Sequence, residues 1–169
     1  MPVVRPLLAR WPFVALMASA AMLAAAHAFE SFGHLAPCTL CLKQREAYWI
    51  ALAIAAVGIA GEFTPWRERS RRIAAALLAL AFLYGAGMAV YHAGAEWKWW
   101  PGPAACSGGA GGVSTGDLEA ILKGDKITMP ACDKAAWVFL GLSMAGWNAL
   151  ISAALAGFSM AAALRRTPA

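Results

Sequence analysis

Two cysteines three residues apart, followed by an arginine, are the residues of this chain whose types and spacing most clearly suggest chemistry. The stretch PCTLCLKQR places Cys38 and Cys41 ahead of Arg45. If a helix begins near Cys38, both sulfurs and the guanidinium group lie on one helix face. The partial positive charge of a helix N-terminus and a nearby cation each lower the pKa of a cysteine and so favour its reactive thiolate form. The motif therefore favours a redox-active dithiol.

Other roles stay open on the motif alone. Arg45 could be an interfacial arginine that reaches for lipid head groups. The four cysteines could form two structural disulfides, although a bridge between residues three apart removes little entropy from the unfolded chain. They could also bind zinc, but structural zinc sites usually take their ligands from two close pairs, and Cys106 and Cys132 are widely separated. We therefore expect no metal.

The composition indicates a protein that spans a membrane. Apolar residues make up 61% of the chain and charged residues 14%, whereas soluble domains have about 45–50% and about 25%. Four apolar segments have lengths near or above the roughly 20 residues that cross a hydrocarbon core of about 30 Å. They are residues 11–29, 47–63, 73–91 and 137–164, with the last span expected over about 140–164. The sequence thus predicts an all-α integral membrane protein, a four-transmembrane-helix bundle forming one membrane domain over residues 1–169.

The placement of basic residues predicts how this bundle is oriented. The net charge is +5, and eight of the fourteen Lys and Arg residues lie before the first span, between the second and third, or after the fourth. An excess of Lys and Arg marks cytoplasmic segments. Both termini are therefore predicted to be cytoplasmic, and the loops 30–46 and 92–136 to be periplasmic. Because the positive charge is a topology signal, we expect no nucleic-acid partner.

All four cysteines lie in the two predicted outer loops. They are Cys38, Cys41, Cys106 and Cys132. Cysteines that face an oxidising compartment such as the periplasm form and keep disulfides. Four cysteines allow three pairings, and the spacing does not choose among them, although Cys38 with Cys41 and Cys106 with Cys132 is the simplest.

The first span and the long loop each need a further comment. Two arginines, an apolar run and Ala26-His27-Ala28 resemble a cleavable signal peptide, but the run exceeds the about 7–15 residues of a typical signal-peptide core. We expect the helix to be retained. In the loop 92–136, the tryptophans of AEWKWWPGP predict a segment along the membrane surface, and SGGAGGVSTG predicts a flexible chain that carries Cys106.

The order of these features resembles the disulfide bond formation protein B (DsbB) family. The stretches on which the resemblance rests are, in chain order, CTLCLKQR, YHAGAEWKWWPGPAAC at the end of the third span, and CDKAAWVFLGLSMAGWN. The resemblance covers nearly the whole chain. It implies a quinone-dependent protein-disulfide oxidoreductase of the bacterial inner membrane, which re-oxidises a periplasmic DsbA-like thioredoxin-fold oxidase and passes the electrons to a membrane quinone, either ubiquinone or menaquinone.

The resemblance also implies a role for each cysteine. Cys106 would form the intermolecular disulfide with the partner, and Cys132 would complete the loop disulfide. Cys38 would exchange with that disulfide, and Cys41 would face the quinone ring.

Two further residues are assigned to the quinone by the same resemblance. Arg45 would polarise a quinone oxygen and stabilise the Cys41 thiolate, and His92 would contact the quinone, although a plain interfacial histidine is an equal alternative. The chain departs from the family pattern at Gln44, where an acidic residue can precede the arginine, and in its glycine-rich loop.

Two other functions compete with this interpretation. One is a quinone reductase like the vitamin K epoxide reductases, which are also small helical bundles with C-x-x-C, although their motif lies in a late helix. The other is a structural membrane subunit with inert disulfides, because small residues allow close helix packing in any bundle. The type of quinone, the partner and the resting disulfide pairing stay open.

Overall fold

A computed structural model describes residues 4–103 and 132–165, which form five helices and one short β-hairpin. The elements are α1 (Val4–Ala9), α2 (Trp11–Ser31), α3 (Thr39–Gly61), α4 (Arg67–Glu96), β1 (Val138–Phe139), β2 (Leu142–Ser143) and α5 (Met144–Leu164). Apart from the hairpin, the described chain is helical, as the composition predicts.

Three of these helices, α2, α4 and α5, are long and apolar enough to cross a membrane. Helix α3 has 23 residues, but its first turns carry Lys43, Gln44, Arg45 and Glu46, which lower its mean hydropathy. A multi-pass helical membrane protein is therefore confirmed. A fourth span within α3 stays a prediction.

Small residues bring the helices close together. Helix α4 packs against both α3 and α5, and α2 packs against α3. A Cβ atom added to Gly58 of α3 would lie 2.7 Å from the Cβ of Ala74 on α4, and one added to Gly85 would lie 3.1 Å from the Cβ of Ala47. The α3–α4 interface therefore depends on glycine at these positions, as expected for membrane helices that associate by close packing.

Large side chains fill the rest of the core near the start of α2. Trp11, Leu78 and Phe82 are each at most 1% exposed. The indole nitrogen of Trp11 donates a hydrogen bond to Ser159 Oγ at 2.8 Å, which ties α2 to α5. Tyr and Trp side chains usually find such a partner when they are buried.

Helix α4 extends beyond the predicted span at both ends. It runs from Arg67 to Glu96, whereas the apolar segment covers residues 73–91. His92, which the sequence places in the outer loop, is therefore helical. Thirty residues of α-helix are about 45 Å long at about 1.5 Å per residue, so α4 separates its arginine-rich first turns from its last turn by more than the thickness of a hydrocarbon core.

The tryptophan-rich segment after α4 turns back along the helix. Trp100 stacks on Tyr91 with ring centroids 6.1 Å apart, and its indole nitrogen donates to the carbonyl oxygen of Tyr91 at 2.8 Å. The ring occupies the space beside Gly94, where a Cβ atom would lie 2.0 Å from it. Trp97 and Trp99 remain exposed.

The last helix begins later than the predicted 140–164. Val138 pairs with Ser143 and Phe139 with Leu142 in an antiparallel hairpin, with positive φ at Leu140 (51°) and Gly141 (79°) in the turn. Ser143 then caps α5 by accepting a hydrogen bond from the Gly146 amide at 3.1 Å. Hydropathy alone does not distinguish this apolar hairpin from a first helical turn.

Candidate functional site

The first turn of α3 positions the C-x-x-C motif. Cys38 is the N-cap residue, and its sulfur accepts a hydrogen bond from the backbone N–H of Cys41 at 3.3 Å. Helix α3 therefore begins next to Pro37 and Cys38, where the sequence leads us to expect a helix start. Because the first amides of a helix lack intrahelical partners, the sulfur takes the place of the usual capping oxygen.

Cys38 and Cys41 are both free thiols. Their sulfurs lie 2.9 Å apart, compared with about 2.05 Å in a disulfide. The neighbouring Cys41 thiol lowers the pKa of Cys38 to about 4. Burial opposes this shift, and His92 reinforces it. Cys38 is therefore held as a thiolate at neutral pH, and it is Cys38 rather than Cys41 whose thiolate the surroundings favour.

The last turns of α4 bring two ionisable side chains to the sulfurs. His92 is 4% exposed, and its Nε2 lies 3.6 Å from the Cys38 sulfur. Glu96 follows one turn later, with Oε1 3.7 Å from the same nitrogen and a side chain that is 6% exposed. Its second oxygen is buried and has no hydrogen-bond partner among the described residues.

Three polar side chains continue the site into the bundle. Gln44 Nε2 lies 2.7 Å from His92 Nδ1, and Asn148 Nδ2 donates to Gln44 Oε1 at 2.5 Å. The Tyr48 hydroxyl donates to Asn148 Oδ1, also at 2.5 Å. Each of these side chains is buried, so helices α3, α4 and α5 share one polar network behind the thiols.

Sequence reasoning missed most of this network. In the sequence, Gln44 stands out only as a departure from the family pattern, and Tyr48 and Glu96 are not among the predicted site residues. The available signal was helical spacing, since Tyr48 follows Gln44 by four residues and Glu96 follows His92 by four. Asn148, a polar residue in the last apolar segment, is expected from the sequence to hydrogen-bond across helices, and it does so, but no spacing rule connects it to the others.

Arg45 does not contact the thiols in the described structure. Its Nη1 donates to Glu30 Oε2 at 2.7 Å and its Nη2 to the carbonyl oxygen of Ala26 at 3.2 Å. The guanidinium group therefore joins the end of α2 to the start of α3. The group beside the sulfurs is His92, not the arginine that sequence reasoning placed there.

Cys132 completes the cluster from the other loop. It is 1% exposed and packs with Cys38 and Leu40, and it is disulfide-bonded. Asp133, the next residue, forms a 2.5 Å ion pair with Lys98, which ties this segment to the end of α4. The structure thus brings three of the four cysteines together with His92, while Cys106 lies outside the described residues.

The two sulfurs and the His92 ring also form a set of donor atoms of the kind that binds metal ions. The ligand atoms of Cys38, Cys41 and His92 all lie within 4.8 Å of one another. Metal-ligating histidines usually donate their second ring N–H to a carboxylate or carbonyl oxygen. Here the neighbour of His92 Nδ1 is the amide nitrogen of Gln44, which can only donate. The dithiol is therefore better suited to redox exchange than to metal binding.

Fold and site together define a multi-pass membrane protein with a buried dithiol at one end of its helix bundle. The family model described as "Disulfide bond formation protein DsbB" matches residues 9–162. The chain belongs to the DsbB family, which implies a disulfide oxidoreductase that acts in disulfide bond formation.

Three similar proteins carry the name "Disulfide bond formation protein B". The one from Aromatoleum aromaticum is 33% identical over 135 residues, 75% of this chain and 74% of the relative. That from Methylococcus capsulatus is 34% identical over 149 residues, with 83% and 85% coverage. That from Dechloromonas aromatica is 27% identical over 152 residues, 86% of each chain. No solved structure matches the chain.

Proposed function

We propose that this protein re-oxidises a periplasmic DsbA-like dithiol oxidase and passes the electrons to a membrane quinone. The observation that carries the proposal is the contact between two redox pairs. Cys38 and Cys41 are free thiols, and the disulfide-bonded Cys132 packs against Cys38. Such contact allows a thiolate of one pair to attack the disulfide of the other, which moves two electrons between them.

The first exchange takes electrons from the partner. A thiolate of the reduced oxidase attacks the loop disulfide that contains Cys132, and we assign Cys106 as the sulfur it attacks. The partner's second thiol then resolves the mixed disulfide. One disulfide forms in the partner and one breaks in the loop. Two electrons thus pass from the partner to the loop cysteines, and the partner dissociates in its oxidised form.

The second exchange moves the electrons to the helix pair. The Cys132 thiolate attacks the disulfide form of the Cys38–Cys41 pair at Cys38, and the loop disulfide re-forms as the mixed disulfide is resolved. The state described here, with Cys38 and Cys41 reduced and Cys132 disulfide-bonded, corresponds to the product of this exchange.

The residues near Cys41 fit a quinone in their chemistry. Cys41 is only partly buried, and Arg45 lies one helical turn further along α3 with a side chain that is 14% exposed. A guanidinium N–H can donate to a quinone oxygen, so Cys41 and Arg45 would hold the ring, and the His92 imidazole would contact it beside them. A bound quinone supplies an acceptor for two electrons and two protons. The chain itself holds the Cys38 sulfur as a thiolate beside His92 Nε2.

The arrangement also supports a placement in the bacterial inner membrane with both termini cytoplasmic. Arg67, Arg71 and Arg72 lie at the start of α4, whereas His92 and the thiols lie at its opposite end. The positive end is expected on the cytoplasmic side. The dithiol then faces the periplasm, where a partner oxidase can reach the loop that carries Cys132.

The relay is tested with the full chain in lipid nanodiscs that contain a quinone. Quinone reduction and re-oxidation of a reduced DsbA-like protein are followed together, and we expect one quinol per partner disulfide. Substitution of any cysteine by serine should abolish steady-state turnover. Since His34 is exposed and outside the site, His34→Asn serves as the matched control and should turn over normally. Wild-type rates in Cys106→Ser would contradict the relay.

A further inference from the structure

A chain of buried hydrogen bonds leads from the interior of the bundle to the Cys38 sulfur. It runs from Tyr48 to Asn148 at 2.5 Å, to Gln44 at 2.5 Å, to His92 Nδ1 at 2.7 Å, and from His92 Nε2 to the sulfur at 3.6 Å. None of the residues between the two ends is more than 9% exposed. Because these side chains are buried, each must find its hydrogen-bond partner among the other side chains of the network.

The geometry decides which group donates and which accepts in each of these hydrogen bonds. Asn148 Oδ1 accepts from two hydroxyl groups, that of Tyr48 at 2.5 Å and that of Ser152 at 3.3 Å. The Tyr48 hydroxyl also lies 2.8 Å from Ser152 Oγ, so the side of Asn148 that faces these hydroxyl groups carries the amide oxygen. Its amide nitrogen must then donate to the oxygen of Gln44, and the Gln44 nitrogen must donate to His92.

We infer that Tyr48, Asn148 and Gln44 hold His92 in the tautomer that carries its proton on Nε2, so that the ring donates to the Cys38 thiolate. Nδ1 accepts from an amide nitrogen and is therefore unprotonated, which leaves Nε2 as the N–H of the neutral ring. Tyr48 and Asn148 act as positioning residues through His92. The inference depends on the proposed function only in treating the dithiol as redox-active.

The groups that face His92 fit this tautomer. The start of α3 contributes the sulfurs of Cys38 and Cys41, and α4 itself contributes the Glu96 carboxylate at 3.7 Å from Nε2. The Cys38 thiolate is an acceptor within hydrogen-bonding distance of Nε2, so an N–H on this nitrogen has a partner, and the Glu96 carboxylate lies just beyond hydrogen-bond distance. Helix α5 contributes Asn148, which reaches the ring only through Gln44. Aligned hydrogen bonds in a buried network also polarise one another.

The tautomer can be measured directly in the reduced full chain. His27 and His34 are both exposed, so His27→Gln and His34→Asn leave His92 as the single histidine; asparagine suits position 34 because φ is 51° there. Long-range ¹H–¹⁵N correlation then identifies Nε2 as the nitrogen that couples to both ring protons. We expect Nε2 at a protonated shift and Nδ1 at an unprotonated one. Protonation on Nδ1 in the neutral ring would overturn the inference.

Two variants then interrupt the hydrogen-bond network without changing His92 itself. They are Asn148→Leu and the double variant Tyr48→Phe with Ser152→Ala, which is needed because Ser152 Oγ also donates to Asn148 Oδ1. Each should move the ring toward a mixture of tautomers and should slow alkylation of Cys38 severalfold, measured with Cys41→Ser so that one free thiol remains. Ser19→Ala is the matched control, because the Ser19 hydroxyl is buried but has no partner among the described residues. Unchanged nitrogen shifts in Asn148→Leu would refute the positioning role, whatever the quinone kinetics show.

Discussion

The guanidinium group of Arg45 donates to the Glu30 carboxylate across 2.7 Å. This bond joins the end of α2 to the start of α3. It directs the arginine head group toward α2 and not toward the sulfur of Cys41, which precedes Arg45 by one helical turn. Arg45 therefore has a structural partner in the described state, while the thiolate of Cys38 is stabilised by Cys41 and His92.

Arg45→Ala should raise the apparent KM for quinone, because the substitution removes a donor from the proposed ring site. It should also lower the thermal stability, since the link to α2 is lost. Glu30→Gln separates the two effects, because it keeps the arginine and weakens the link by about 1 kcal/mol. Steady-state kinetics and thermal unfolding of both variants provide the measurement. If Glu30→Gln raised the KM as much as Arg45→Ala, the arginine would act only through the fold.

The reactivity of Cys38 should persist in mildly acidic solution. Its pKa is lowered to about 4, chiefly by the Cys41 thiol, so the thiolate is present above that pH and is lost as the pH falls through it. Alkylation of the reduced protein should therefore change little from pH 8 to about pH 6, apart from any change in the reagent, and decline toward about pH 4. A decline centred near pH 8.5, the range of an ordinary thiol, would contradict this.

The same shift predicts how stability depends on pH. A folded-state pKa below the unfolded value means that the folded protein favours the thiolate. This contribution is fully present above the unfolded pKa and is lost as the pH falls to about 4. The reduced wild type should consequently lose more stability between pH 8 and pH 5 than Cys38→Ser does, as measured by chemical denaturation in detergent micelles.

Glu96→Gln should preserve or increase stability. The Glu96 side chain is 6% exposed and one of its oxygens has no partner among the described residues. An unsatisfied buried polar atom costs about 1–3 kcal/mol, and more when it is charged, so removal of the charge should raise the unfolding midpoint. A large drop in the midpoint would show that the contacts of the carboxylate with Ser143 and His92 outweigh the cost of its burial.

Gly58→Ala should destabilise the bundle by about 1–3 kcal/mol, the usual cost of overpacking. The new Cβ would lie 2.7 Å from the Cβ of Ala74, so α3 and α4 would have to separate. Gly157→Ala is the matched control, because nothing lies within 4 Å of a Cβ there and alanine is the better helix former. Equal unfolding midpoints for the two variants would show that the α3–α4 interface adjusts freely.

The sequence alone determined the class of protein and the chemistry of its motif. Long apolar segments identified a helical membrane protein, because the length of a spanning helix is set by the thickness of the bilayer. A helix start near Cys38 is expected from the local sequence, because Pro37 stands directly before the motif and proline is common at helix N-termini. The ordered cysteine motifs likewise identify the DsbB family without reference to any tertiary contact.

Only the tertiary structure decided which groups surround the thiols. Cys38 and His92 are 54 residues apart, and Gln44 and Asn148 are 104 apart, so their contacts depend on how α3, α4 and α5 pack. Arg45 shows the limit most clearly, since its helix position favoured the sulfurs but a carboxylate on α2 is its partner. Local sequence specifies the helix face on which a side chain lies. Which of several possible partners it meets is decided by the neighbouring helices, because charge and hydrogen-bonding energies depend on separations of a few ångströms.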